Sequence, residues 1–244
     1  MSRAVASGKG RAVTTRGRRG GRGDATRTRI LDAAEKLIAS EGYATVSLRR
    51  ITQEAKANVA AVNYYFKSKD ALLEAIFVRR IVPINEERMR LLDACVASGV
   101  QGAERLEGIV RAFVEPHLRL TTEFGAGGTV VMQLLGRLST DSGRRIERIL
   151  LKQYDPIWWR FSKAFQEALP HLGRQTIYWR FYYLLGTLYY VTTARQWLPS
   201  RSEDLCHPER IEDVIRSMVP FLVGALMAPE APVERKRRPR AAGA

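Results

Sequence analysis

The residues best placed to do chemistry lie in one short stretch, NVAAVNYYFKSK, residues 58–69. Asn58 is a residue type that caps a helix start, because its side-chain oxygen can accept from an otherwise unpaired backbone N–H. At about 100° per residue, Val59, Val62 and Phe66 group on one face, Ala60, Ala61, Tyr64 and Tyr65 point away, and Asn63 flanks the boundary. A solvated helix would carry charges on the outer side. Two alanines and two tyrosines there suit a flat partner that approaches closely. The available chemistry is that of base reading: alanine methyls against thymine methyls, tyrosine hydroxyls on phosphates, and Asn63 holding an adenine edge through two hydrogen bonds. Arg49 and Arg50 upstream and Lys67 and Lys69 downstream flank the stretch with cations suited to phosphates. Lys69, next to Ser68, also adjoins a helix start whose free N–H groups attract an anion.

The elements around this stretch are short and capped. Ser47 caps a second helix in which Leu48, Ile51 and Ala55 share a face, and Lys56, Ala57 and Asn58 form the turn to the third. Two short helices joined this tightly are what a helix-turn-helix needs to put one helix into a DNA major groove. Before them, Ile30, Leu31, Ala34, Leu37 and Ile38 recur at helical spacing, predicting a first helix over 25–41 that stops at Gly42. After them, Ser68 caps a longer helix with Leu72, Leu73, Ile76, Phe77 and Ile81 as its apolar positions, until Pro83 kinks or relays it. Beyond residue 100 the helical period continues over 103–123, 129–139, 143–169, 174–197 and 208–227, with kinks or splits expected at Pro116, Pro156 and Pro220. The predicted fold is all-α.

Residues 30–73, ILDAAEKLIASEGYATVSLRRITQEAKANVAAVNYYFKSKDALL, resemble the DNA-binding domain of TetR-family transcriptional regulators. The resemblance rests on Gly42, Tyr43, Thr45, Ser47, Leu48, Arg49, Ile51, Tyr65, Phe66, Ser68, Lys69 and Leu72. It departs at Lys56, where the family usually has Gly, and at Asn63, where a Tyr is common. Lys56 weakens the turn if a positive φ is required, and Asn63 implies an altered operator preference. The stretch NVAAVNYYFKSKDALLEAIF more narrowly resembles the PsrA-type, fatty-acid-responsive branch, in which the Asn pair matching Asn58 and Asn63 recurs. The resemblance implies a DNA interface of Thr45, Ser47, Arg49, Asn58, Ala60, Ala61, Asn63, Tyr64, Tyr65 and Lys69. It also implies double-stranded DNA with a pseudo-palindromic operator as partner, a homodimer, a small apolar effector, no cofactor and no metal.

The expected organisation is a basic tail at 1–23 without order, a helix-turn-helix domain at 24–70, a helical effector and dimerisation domain at 71–228, and a second basic tail at 229–244. In the larger domain, Phe113, His117, Met132, Leu135, Trp158 and Phe161, with Tyr182, are expected to line an apolar pocket, and Arg111 or Arg180 could hold a carboxylate head group. Two consecutive apolar stripes near the C-terminus, with Leu184, Leu188 and Val191 on one and Ile211, Ile215, Met218 and Leu222 on the other, predict the dimer interface.

Composition limits the alternatives. The chain has 244 residues, is 45% apolar and has a formal charge of +15. That is enough material for a core and at most two domains. Residues 1–23 hold seven basic residues and no acid, so much of the excess charge sits in the tails rather than on the folded part. The Arg-Gly run RGRRGGRG at 16–23 offers a different reading, an RNA-associated chain acting through that tail. Cys95 and Cys206 have no metal or disulfide spacing, which favours a reducing, cytoplasmic setting. His117, His171 and His207 have no ligand spacing, and no phosphate-cradling Gly loop or nucleophile elbow is present, so an enzyme is not expected. The most apolar run, 181–191, is too short to cross a bilayer, so no membrane association is expected.

Overall fold

The computed structural model describes residues 18–123 and 144–230. Every regular element among them is helical: α1 (Arg18–Glu41), α2 (Leu48–Glu54), α3 (Val59–Phe66), α4 (Lys69–Ala97), α5 (Gly102–Glu123), α6 (Arg144–Ala168), α7 (Arg174–Thr193), α8 (Leu198–Arg201) and α9 (Ile211–Met227). A 3-10 turn, Arg195–Trp197, joins α7 to α8. The helix expected at 129–139 lies outside the described residues.

The chain divides into two compact units, Met1–Ile76 and Phe77–Ala244, so the boundary falls inside α4 rather than at residue 70. In the first unit Ile30, Leu31, Leu37, Ile38, Ile51, Val62, Phe66, Leu72, Leu73 and Ile76 are all buried. Each such side chain stabilises the fold by about 1.5–3 kcal/mol through loss of water contact. This is why helices as short as α2 and α3, marginal as isolated peptides, persist here.

α1 begins at Arg18, so the final residues of the segment expected to lack order are helical, as is most of the Arg-Gly run. Local propensity does not account for this, since three of residues 18–23 are Gly. Packing supplies a reason at Gly23: a Cβ built there would stand 3.2 Å from the Tyr65 hydroxyl. One turn on, the Arg27 guanidinium lies 5.4 Å from the centre of the Phe66 ring.

In the second unit α4, α5, α6, α7 and α9 enclose a core in which Phe113, Phe161, Phe165 and Phe181 are fully buried. Phe113 meets Phe161 edge-on at 5.0 Å and Phe181 edge-on at 5.1 Å, while Trp158 stacks on Phe181 at 4.7 Å. Such pairs add about 0.5–1.5 kcal/mol each beyond area burial. Pro83, Pro116, Pro156 and Pro220 all lie within continuous helices, so none of them splits an element.

Candidate functional site

The turn between α2 and α3 is a closed hydrogen-bonded unit. Ser47 Oγ accepts from Arg50 N at 3.2 Å, capping α2. At the other end of α2, Lys56 N donates to Gln53 O at 3.2 Å and Ala57 N to Thr52 O at 2.9 Å, with Lys56 at φ +48°. Those two bonds around a left-handed residue make a Schellman motif, the position where glycine is usual. Asn58 Oδ1 then accepts from Ala61 N at 2.7 Å and starts α3. Its oxygen is therefore committed to the cap, and Nδ2 is what it can offer a partner.

α3 ends as tightly as it starts. Lys67 adopts φ +63°, and Ser68 N reaches back to Phe66 O at 2.7 Å, which is a γ-turn. Ser68 Oγ then caps α4 by accepting from Ala71 N at 3.0 Å. The reading helix is thus fixed at both ends by turns that leave its outer side clear.

That outer side differs in two places from the helical-wheel expectation. Val59, expected inside, is 44% exposed, because it opens the helix and has no preceding turn to lean on. Tyr65, expected outside, is half-buried against α1 and braces Tyr64 edge-to-face at 5.0 Å. Tyr64 is 79% exposed. The open face therefore consists of Val59, Ala60, Asn63, Tyr64 and Lys67, with Ala61 at its edge. Thr45, Ser47, Arg49, Arg50 and Asn58 are exposed as well. The nearby acid Glu54 is bound to Lys36 at 2.9 Å, and that contact holds its carboxyl below the usual range.

Lys69 is placed differently from the expected phosphate contact. Its ammonium donates to the Tyr43 carbonyl and lies 4.3 Å from the centre of the Tyr43 ring, while the Tyr43 hydroxyl bonds Asp70. Partial burial lowers its pKa, and Asp70 opposes that shift. The side chain ties the loop after α1 to the start of α4.

In the second unit the expected pocket residues separate. Phe113 and Phe161 are packed core and Trp158 stacks beside them on Phe181, whereas Tyr182 is 62% exposed. One residue of helix turns Tyr182 about 100° away from Phe181, out of the core. Met132 and Leu135 lie outside the described residues. Neither arginine suggested for a head group is available for it. Arg111 is held by Glu107 at 2.8 Å and Glu115 at 2.7 Å, and Arg180 caps the end of α9 by donating to Leu226 O at 2.6 Å and Pro229 O at 3.1 Å.

A buried arginine was missed in the sequence. Arg88 on α4 is 3% exposed, donates through Nε to Phe113 O at 2.9 Å and through Nη1 to Asn85 Oδ1 at 3.2 Å, and lies 4.0 Å from the centre of the Phe113 ring. Burial pulls its pKa down to about 10, with Tyr154 acting the other way. His117 on α5 is also buried, and its Nε2 has no hydrogen-bond partner. Burial, reinforced by the Arg88 charge, holds the imidazole neutral, its pKa pushed down to about 3. The sequence signal for Arg88 is slight, since a single arginine on a charged helix gives no sign of its burial.

The residues expected at a dimer interface are instead internal. Leu184, Leu188, Ile215, Met218 and Leu222 are buried in the core of their own chain, with Val191 and Ile211 packed partly against it. The stripes on α7 and α9 face each other, α5 and α6, so the periodicity was correct but its partner was misassigned. The large apolar groups left exposed on the same two helices are Trp179, Tyr182, Tyr183, Tyr189, Tyr190, Phe221 and Met227. An open groove of about 420 Å³ runs between α7 and α9 past Tyr190, Val191, Met218 and Phe221. A Cβ at Gly186 or Gly224 would meet nothing within 4 Å, so both glycines face open space.

A capped helix-turn-helix followed by a larger helical unit defines a class of DNA-binding regulators. Residues 30–76 match the sequence family described as bacterial regulatory proteins, tetR family, and residues 111–225 match the tetracyclin repressor-like C-terminal domain. The chain belongs to the TetR family of transcriptional regulators. It is 36% identical over 67 residues to the nicotine-responsive transcriptional repressor HdnoR of Paenarthrobacter nicotinovorans, a match covering 28% of this chain and 34% of that protein. It is 39% identical over 49 residues to the probable transcriptional regulator YttP of Bacillus subtilis, covering 20% of this chain and 24% of that one. The chain thus spans about a third or less of the curated relatives it matches. Among solved structures, FadR of Bacillus subtilis in complex with stearoyl-CoA aligns with a TM-score of 0.56 at 19% identity, covering 81% of this chain and 98% of that one. PfmR of Thermus thermophilus aligns with a TM-score of 0.56 at 17% identity, covering 84% of this chain and 98% of that one. At this identity the likeness is one of fold. Among the described residues no helix is long and apolar enough to cross a membrane.

Proposed function

We propose that the chain is a homodimeric repressor that places α3 of each subunit in successive major grooves, about 34 Å apart on a pseudo-palindromic operator. The observation that carries this reading is the open face of α3. Tyr64 is 79% exposed and braced by Tyr65, and Ala60 and Asn63 lie beside it between two hydrogen-bonded turns. Small side chains let a helix approach base edges, Asn63 can hold an adenine, and Arg49, Arg50 and Lys67 supply phosphate contacts.

The exposed aromatic groups of α7 and α9 supply the self-association surface. Two copies meeting there would cover Tyr183, Tyr190 and Phe221, and the open glycines would let the helices cross closely. Repression is by occlusion of the operator. A small apolar effector taken up by the helices of the second unit shifts α4, which runs from the end of the first unit into the second, and changes the spacing of the two α3 helices. Moving the operator from nearly full to nearly empty requires the effector to favour the non-binding state by several kcal/mol. The protein acts by binding, with no catalytic step.

The test is a gel shift of the full chain on the gene's own upstream region, alongside Arg49→Ala and Tyr64→Ala. Both variants should lose at least about tenfold in affinity with unchanged thermal stability. Unchanged affinity in both would overturn the reading.

A further inference from the structure

Two contacts in the first unit hold the start of α1 against the end of the reading helix. A Cβ at Gly23 would stand 3.2 Å from the Tyr65 hydroxyl, so glycine at this position lets α1 pass close to α3. Four residues on, Arg27 lays its guanidinium 5.4 Å from the centre of the ring of Phe66, the last residue of α3. Gly23 and Arg27 therefore share the stripe of α1 that adjoins α3. The register of the helix puts Arg19 on that stripe as well, about 6 Å before Gly23.

Phe66 is buried, whereas Arg27 is exposed. A ring holds a cation in place without neutralising it. Among the described residues no carboxylate pairs with Arg27, and the residues that precede Asp24 contain seven cations and no acid. A positive charge of fixed position thus stands at the same end of α3 as the exposed Lys67. The size of a groove decides what such a charge would meet. The major groove is about 12 Å wide and one helix fills it, so a second helix packed beside the first at about 8–10 Å meets the bordering strand rather than base edges.

We propose that α1 is a second DNA-contacting element, in which Arg27, and Arg19 two turns before it, bind backbone phosphates of the strand that borders the groove occupied by α3. This rests on the regulator reading and extends it: α3 reads bases, while α1 adds affinity that carries no sequence information. The Phe66 ring orients the Arg27 fork in advance, so less side-chain freedom is lost when a phosphate binds. Gly23 sets how closely α1 approaches Tyr65, and Tyr65 braces Tyr64, so the phosphate contact and the reading face are held in one register.

Affinity of the full chain is measured by fluorescence anisotropy on a duplex from the gene's own upstream region and on an unrelated duplex of equal length, over about 50–300 mM potassium chloride. Arg27→Gln should weaken binding to both duplexes alike, by about tenfold, and reduce the slope of log affinity against log salt by about one for each bound subunit. The ratio of the two affinities should stay within about twofold of the native ratio. Arg27→Lys, which keeps the charge, should retain the native slope. A role confined to covering Phe66 gives a different pattern, a lowered urea midpoint with the native slope, and overturns the proposal. Arg19→Gln, which leaves the contact with Phe66 in place, should reduce the slope by the same amount. Where Arg27→Gln does not fold, a native slope in Arg19→Gln overturns the proposal. A native chain that binds both duplexes equally, with the slope reduced in Arg27→Gln, leaves this inference standing and overturns the regulator reading. Preference for the upstream duplex with the native slope in both variants does the reverse.

Discussion

Lys69 lies over the ring of Tyr43, 4.3 Å from its centre, and donates to the Tyr43 carbonyl. A lysine that the sequence pattern assigned to a phosphate is therefore the fastener between the loop after α1 and the first turn of α4. The two roles make opposite predictions. Lys69→Met should lower the stability of the helix-turn-helix unit by about 1–2 kcal/mol, the sum of a charge-assisted hydrogen bond and a partly exposed cation–π contact. The slope of operator affinity against salt should stay unchanged, whereas loss of a phosphate contact would reduce it by about one per contact. Urea midpoints and a salt titration read the two quantities separately.

Lys56 stands in the left-handed position of the Schellman turn at φ +48°, where a side chain is strained by about 1 kcal/mol. Lys56→Gly should therefore stabilise the unit by up to about 1 kcal/mol, less the entropy that glycine adds to the unfolded chain. A clearly lowered urea midpoint would show that the lysine side chain makes a compensating contact.

What the sequence revealed and what it hid divide along a physical line. Ser47, Asn58 and Ser68 were legible as caps because capping is local: a small polar side chain reaches an N–H three residues ahead, whatever else the chain does. The left-handed turn at Lys56 was legible through the family pattern for the same reason. Tyr65 and Val59 were not, since which edge of an eight-residue helix faces inward depends on where α1 lies. Leu184 and Leu222 were recognised as buried but assigned to the wrong neighbour, because periodicity reports that a face is covered and not by what. Arg88 was invisible: its charge resembles that of the other arginines of α4, and only the packing of helices around it takes it out of water.

Phe221 and Leu222 are adjacent on α9, about 100° apart around the helix, at 63% and 3% exposed. Phe221→Glu should leave the fold of a single chain intact and yield a monomer in sedimentation velocity, since it puts a charge into the apolar surface proposed to be shared. Leu222→Ala should instead cost about 2–5 kcal/mol of stability through the cavity it leaves. A Phe221→Glu protein that sediments as a dimer would remove this face from the interface.

His117 should make the second unit acid-sensitive. Its pKa is about 3 in the fold, against 6.5 for a free imidazole. The unfolded chain therefore takes up a proton below 6.5 that the folded chain refuses. The stability this group contributes is fully present above about pH 6.5 and is lost progressively as pH falls toward about 3, at a limiting slope of about 1.4 kcal/mol per pH unit. Carboxylates elsewhere also titrate in that window, so the comparison that isolates His117 is between the native chain and His117→Leu. Urea unfolding from about pH 7.5 to about pH 5 should show the stability difference between the two moving by about 2 kcal/mol in favour of the variant as the solution becomes more acidic. Parallel curves would mean that the imidazole is protonated in the folded chain despite Arg88 beside it.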